Sequence, residues 1–336
     1  MPAHANTPAR SRRAMNWTRL ALAAAVPVIG AGAAASPALA TAQPSASKYN
    51  FTTLDNRADP TFNQLLGINQ HGLIAGYFGS GMAGHPNQGY LLTAPYGQAN
   101  YRSENWPEST QTQVTGLNDR GVSVGFWSST NKGSGDDNRA FVSVHGYFID
   151  GDFPTDNPAS PPVDQLLGVN DHNVAVGFYT DASGNNHAYT FDIRRNQFTE
   201  IMVSGITGPT AAGINNRGDI AGFGTDASGQ VVGYLLRRDG RVTILNVPGS
   251  SQTTALGIND NDEVVGVYQT GSNDSALTHG FTWTQERGFQ TVVDPNGIGA
   301  TTINGVNDRG DLVGFYTDSA GNTDGLLAMP AQHHRD

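Results

Sequence analysis

Six times along the chain a glycine is followed nine positions later by a second one: Gly67 and Gly76, Gly116 and Gly125, Gly168 and Gly177, Gly213 and Gly222, Gly257 and Gly266, Gly305 and Gly314. Each first glycine is followed by an aliphatic residue and then asparagine, at Asn69, Asn118, Asn170, Asn215, Asn259 and Asn307. The next residue is Gln70, Asp119, Asp171, Asn216, Asp260 or Asp308, and two further on stands Gly72, Gly121, Asn173, Gly218, Asp262 or Gly310. An internal spacing held through six copies, at a period of 44 to 52 residues, makes this a repeat architecture.

Asn followed by Asp or Asn and then Gly supplies residues that tolerate positive φ and close Asx turns. Apolar residues follow at once, as in Ile220-Ala221-Gly222-Phe223, so the motif reads strand, tight turn, strand. A second turn signal comes next, such as Thr225-Asp226-Ala227-Ser228-Gly229. A third strand then begins, as in Gly233-Tyr234-Leu235-Leu236, and a fourth at Val242-Thr243-Ile244-Leu245. Four short antiparallel strands per unit of this length predict an all-β fold, a six-bladed β-propeller over residues 50–330. The last repeat has no fourth strand before the chain ends, and Phe51–Asp55 resembles the missing one. The N-terminal strand is therefore expected to complete the last blade and close the ring, which removes exposed sheet edges.

Residues 1–40 read as a cleaved signal peptide. Arg10, Arg12, Arg13 and Arg19 form a positive region, Leu20 to Ala35 is apolar, and Ala38-Leu39-Ala40 is a small-x-small cleavage site. The apolar run is short for a membrane span. The expected layout is signal peptide, a linker over 41–49, the propeller, and a tail over 331–336, with the product exported to periplasm or medium. Without the leader, 15 Lys+Arg face 29 Asp+Glu. That balance argues against nucleic acid as a partner. The absence of cysteine excludes disulfides, thiolate metal sites and thiol catalysis.

These repeats resemble the HAF family of bacterial extracellular repeats, named for a His-Ala-Phe triplet at the third strand. It stands here as His187-Ala188-Tyr189 and His279-Gly280-Phe281. The other copies depart from it, as in Gln88-Gly89-Tyr90 and Arg139-Ala140-Phe141. The resemblance covers nearly all of the chain after the leader. It implies an exported repeat protein and supplies no catalytic residue.

Six-fold geometry places Asp119, Asp171, Asp260 and Asp308 in a ring on one face. Rings of carboxylate and amide oxygens hold calcium, but turn chemistry already accounts for Asp and Asn there. No cofactor is expected, and Ca2+ at that ring is the alternative. His187 and His279 share one position in blades three and five, too far apart for a common metal, and read as turn residues bonding a neighbouring loop. Trp106 and Trp127 are candidates for stacking on sugar rings, against the commoner role of packing between sheets. The polar stretch Ser128–Asn138 and the Pro-rich stretch Phe153–Pro162 interrupt the second repeat and are placed at a blade edge. Two Arg-Gly-Asp triplets, at Arg217–Asp219 and Arg309–Asp311, fall where the repeat itself demands turn, glycine and strand.

No nucleophile elbow, phosphate loop or His-Glu-x-x-His pattern occurs. The reading is a non-enzymatic, monomeric propeller whose loops bind an extracellular glycan, a surface polymer or a protein. The alternative is a secreted hydrolase or lyase with its site in the channel. Convergent His, Asp or Glu in that channel would favour the enzyme, and a lining of Gly, Asn and aliphatic residues the binder.

Overall fold

The computed structural model describes residues 48–132, 135–271 and 277–331; the expected signal peptide over 1–40, the expected linker up to residue 47 and the expected tail from residue 332 lie outside them. Among the described residues there are six four-stranded antiparallel sheets and almost no helix. Blade 1 runs outward through strands Asn63–Ile68, Ile74–Phe78, Gln88–Leu92 and Tyr101–Ser103. Blades 2 to 5 repeat the order, with innermost strands Gln111–Leu117, Asp164–Val169, Thr207–Ile214 and Gln252–Ile258. Blade 6 is built from Thr301–Val306, Leu312–Thr317 and Thr323–Pro330, and its outermost strand is the N-terminal Tyr49–Thr53. Phe51 pairs with Ala328, so the two ends of the chain lock the ring. This strand starts two residues before the expected one and stops at Thr53. Leu54 still bonds the Gly325 carbonyl, and Asp55 turns out of the sheet to accept the Gly325 N–H.

There is no single core. The buried apolar residues fall mainly into six clusters, one for each seam between neighbouring blades. The seam between blades 6 and 1, for example, packs Leu54, Leu65, Ile74, Tyr90, Val313 and Leu327. A blade buries its two faces only against its neighbours, so closure of the ring and burial of the core are one event.

Both glycines of each repeat follow from close approach. Every innermost strand carries a register shift just before its first glycine, as between Leu65 and Gly67 or Ile303 and Gly305. The bulged residue, such as Leu66, Leu167 or Asn304, lines the channel. A Cβ on each first glycine would lie 3.0 to 3.3 Å from the Cα of the next blade's first glycine, all the way round to Gly67. The second glycine meets its own innermost strand: a Cβ on Gly177 would lie 1.9 Å from the Gln165 carbonyl oxygen. In blades 1, 2, 4 and 5 the third-strand ring (Tyr90, Phe141, Tyr234 or Phe281) lies over that same glycine.

Candidate functional site

The antiparallel order puts the hairpins between first and second strands, and between third and fourth, on one face of the disc, here called the turn face. The remaining loops form the opposite loop face. Around the channel mouth on the turn face, the six repeat asparagines close a ring. Asn69 Nδ2 donates to the Asn118 carbonyl at 3.1 Å, Asn118 to Asn170 at 2.8 Å, and Asn170 to Asn215 at 3.1 Å. Asn215 then donates to Asn259 at 3.3 Å, Asn259 to Asn307 at 2.9 Å, and Asn307 back to Asn69 at 3.2 Å. Each Oδ1 accepts two N–H groups of its own turn, as Asn170 does from His172 and Val174. One side chain thus shapes its hairpin and ties it to the next blade, using both ends of the amide.

The following residues form a second closed ring. The N–H of Gln70 bonds Asp119, Asp119 bonds Asp171, Asp171 bonds Asn216, Asn216 bonds Asp260, Asp260 bonds Asp308, and Asp308 bonds Gln70, all at 2.7 to 2.9 Å. The four aspartates therefore stand where the sequence places them, and each spends one oxygen on a backbone N–H of the preceding blade. Asn216 Nδ2 also reaches the second oxygens of Asp171 and Asp260. Among the described residues no group of three or more His, Cys, Asp or Glu is arranged to hold a metal ion.

Turn tips add a third layer. Arg217 reaches the Asp260 carbonyl and the Asp262 carboxylate, and Arg309 reaches the Gln70 carbonyl. This layer explains two departures from the consensus. Asn173 and Asp262 occupy the glycine slot with φ of 60° and 62°, and each accepts a bond from the preceding blade, from Asn118 Nδ2 and from Arg217 respectively. Inter-blade bonding offsets the cost of positive φ.

Beneath the rings, the channel is a cavity of about 120 Å³ walled by the first glycines and by aliphatic side chains such as Leu66, Ile68, Leu167, Ile214 and Leu256. The buried Asn304 is the polar exception, with Nδ2 on the Leu65 carbonyl and Oδ1 without a partner.

The remaining candidates stand apart. His187 lies toward the loop face, with Nδ1 2.9 Å from Glu200 and Nε2 3.2 Å from Asp181, stacked on Tyr179. Both nitrogens face carboxylates, so both bonds form only when the ring is protonated. Burial opposes that charge, but the bonds to Glu200 and Asp181 outweigh it and raise the histidine pKa. Backbone N–H bonding in its turn, chiefly from Asn185, holds Asp181 down at about 2. His279 bonds Thr270 in its own blade. Trp106 and Trp127 are half-buried and stack on one another, 5.1 Å apart and 2° from parallel, across the seam of blades 1 and 2. Asp219 and Asp311 of the two Arg-Gly-Asp triplets are buried and bonded by their own turn asparagines.

Sequence reasoning missed three carboxyls at the seams, Asp164 buried and Asp55 and Asp152 half-buried. Burial pushes Asp55 and Asp152 up to about 6, the latter although Arg139 bonds it at 3.0 Å. Asp164 is raised well above the usual range by burial, and Tyr189 Oη donates to it at 2.5 Å. It also missed Glu104, which is 5% exposed and accepts from the Ser123 and Ser143 hydroxyls of blade 2. The corresponding position ending the outermost strand is Leu54, Leu245 or Val292 in blades 6, 4 and 5. The sequence signal was that one charged residue in an apolar column.

No family model matches the chain, and no curated protein does. Solved structures show the fold. SapL1 lectin in complex with alpha methyl fucoside aligns with a TM-score of 0.52 at 10% identity, covering 82% of this chain and 98% of that one. TolB from Acinetobacter baumannii aligns with a TM-score of 0.47 at 12% identity, and this chain spans 66% of its length. A mutant Aleuria aurantia lectin in complex with Fucalpha1-6GlcNAc gives 0.49 at 11% identity, covering 79% and 91%. At these identities the likeness is one of architecture, the β-propeller. Among the described residues no helix is long and apolar enough to cross a membrane.

Proposed function

We propose that this is an exported, non-enzymatic propeller of the HAF type that presents its loops to bind an extracellular glycan. The observation that carries the reading is the channel. Glycine, asparagine and aliphatic residues line it, and the aspartates at its mouth are committed to holding neighbouring blades together. A general acid or base must be free to meet its substrate, and these carboxylates have structural work to do. The loops, by contrast, differ from blade to blade while the scaffold beneath them repeats, which is how a rigid ring carries recognition. The partner of the SapL1 complex is a fucoside, so fucosylated oligosaccharides are the first probes. A glycan array with the purified protein, followed by thermal shift on each hit, tests the reading. At a hundredfold the dissociation constant a true ligand adds about 2.7 kcal/mol. Silence across neutral, acidic and amino-sugar glycans would refute it.

A further inference from the structure

The alternation of hairpins that builds each blade also sorts charge. Ten of the fourteen Lys and Arg among the described residues lie at the turn face, with eleven of the twenty-seven Asp and Glu. The loop face holds the other four cations and sixteen carboxylates, a formal −12 against −1. From residue 264 to 331 the only Lys or Arg are Arg287 and Arg309, both at turn-face hairpins, so those segments bring no cation to the loop face of blades 5 and 6. Asp318 and Asp324 lie there, on the turn and strand start of blade 6. Burial raises the Asp324 carboxyl, and Asp318 and Asp294 add repulsion that no local cation relieves.

A second, independent feature coincides with this charge. Leu277 and Ile298 are 48% and 59% exposed on the same loop face. Leu277 lies over the backbone of Gly299, whose carbonyl accepts the Thr278 N–H at 2.8 Å. Ile298 donates its N–H to the Thr317 carbonyl at 2.9 Å, beside Asp318. Val293, next to Asp294 in sequence, is 44% exposed. Asp318 accepts from the Ala320 and Asn322 N–H groups and the Asn322 amide, and Asp324 bonds Tyr316, but neither has an ion pair among the described residues. Exposed aliphatics beside carboxylates with no cation partner match neither an inorganic ion, which has no use for the aliphatics, nor an acidic polymer, which the charge repels.

We propose that the loop face at the seam of blades 5 and 6 docks a cationic polypeptide segment in which Lys or Arg is interspersed with apolar side chains. The cations meet Asp318 at the surface, Asp324, 8% exposed, adds its field from just beneath, and the apolar groups cover Leu277 and Ile298. The long-range field of the −12 face steers the approach and makes association depend on salt. This surface is independent of the glycan reading and stands or falls separately from it.

The test is fluorescence anisotropy of the purified protein with a labelled peptide alternating lysine and leucine. A Glu-Leu peptide and a chitosan oligomer are the comparisons. The Lys-Leu peptide should bind, more weakly as salt rises. Asp318→Asn with Asp324→Asn should weaken it about tenfold, the equivalent of about 1.4 kcal/mol. Asp318→Asn keeps the side-chain oxygen that caps its turn at Ala320 and Asn322. Leu277→Ser with Ile298→Ser should weaken binding without changing its salt slope, and Asp239→Asn on the turn face should have no effect. Hydrogen exchange on the unaltered protein should show peptide protection over 293–300 and 314–324. Equal binding by the loop-face variants, protection elsewhere, no peptide binding, or chitosan binding as tightly as the peptide would each overturn the proposal.

Discussion

Replacing Asn170 by alanine removes three hydrogen bonds at a site 5% exposed. Two are the N–H groups of His172 and Val174, at 3.0 and 3.1 Å, and the third is the bond to the Asn215 carbonyl at 3.1 Å. At about 1 kcal/mol each, with more where a donor or acceptor stays buried and unpaired, Asn170→Ala should cost about 3 kcal/mol. Asn170→Asp keeps both acceptors and loses only the donor to the next blade, so it should cost about 1 kcal/mol or somewhat more, since it turns a carboxylate toward a carbonyl. Asp171→Ala removes bonds to the Asp119 N–H and the Asn216 amide at a wetter site and should cost about 1 kcal/mol. Urea unfolding followed by tryptophan fluorescence, with the m-value checked for constancy, ranks the three. If Asn170→Asp costs nothing while Asn170→Ala keeps its full cost, the asparagine serves its hairpin alone and the inter-blade ring contributes no stability.

Gly177→Ala should prevent accumulation of folded protein, because its Cβ meets the Gln165 oxygen at 1.9 Å, whereas Gly184→Ala, at φ 84° in open space, should cost only about 1 kcal/mol; circular dichroism melts compare them. Asp55 and Asp152 keep their protons in the folded state up to about 6, so stability should fall as pH rises from about 4, near the ordinary carboxyl value, to about 6, and level off above it. The size is on the order of 1–3 kcal/mol, and Asp55→Asn with Asp152→Asn should flatten the curve. His187, whose pKa is also raised, acts in the same sense, its contribution being lost as pH rises through its folded value. Glu104→Leu should destabilise by about 1–3 kcal/mol, since Ser123 and Ser143 lose their acceptor, and adding Ser123→Ala and Ser143→Leu should restore most of the loss in urea titrations.

The fold was legible because its constraints recur. Gly116 touches Gly168 across a seam and Gly177 crowds Gln165 within a sheet, and six copies make such demands visible as spacing. The closing strand was legible from what the last repeat lacked. The aspartate ring was legible as a position but not as a role: Asp119 looked like turn chemistry or a calcium ligand, and it holds the Gln70 N–H of the neighbouring blade. A bond between residues 49 apart leaves no local signature. The same holds for Trp106 and Trp127, whose stacking on one another depends on two blades meeting. Asp164 and Glu104 were missed because burial at a seam is set by the partner blade: Glu104 left only the trace of one charge in an apolar column, and Asp164, in a polar column with Asn63, Thr112, Thr253 and Thr301, left none.

The glycan-binding claim is met most directly by incubating the purified protein with labelled glycans and reading retention and product mass in the same sample. Retention of one glycan class, recovered intact after prolonged incubation, is the predicted result. Release of shortened or unsaturated fragments would contradict it and place a catalytic centre in this propeller.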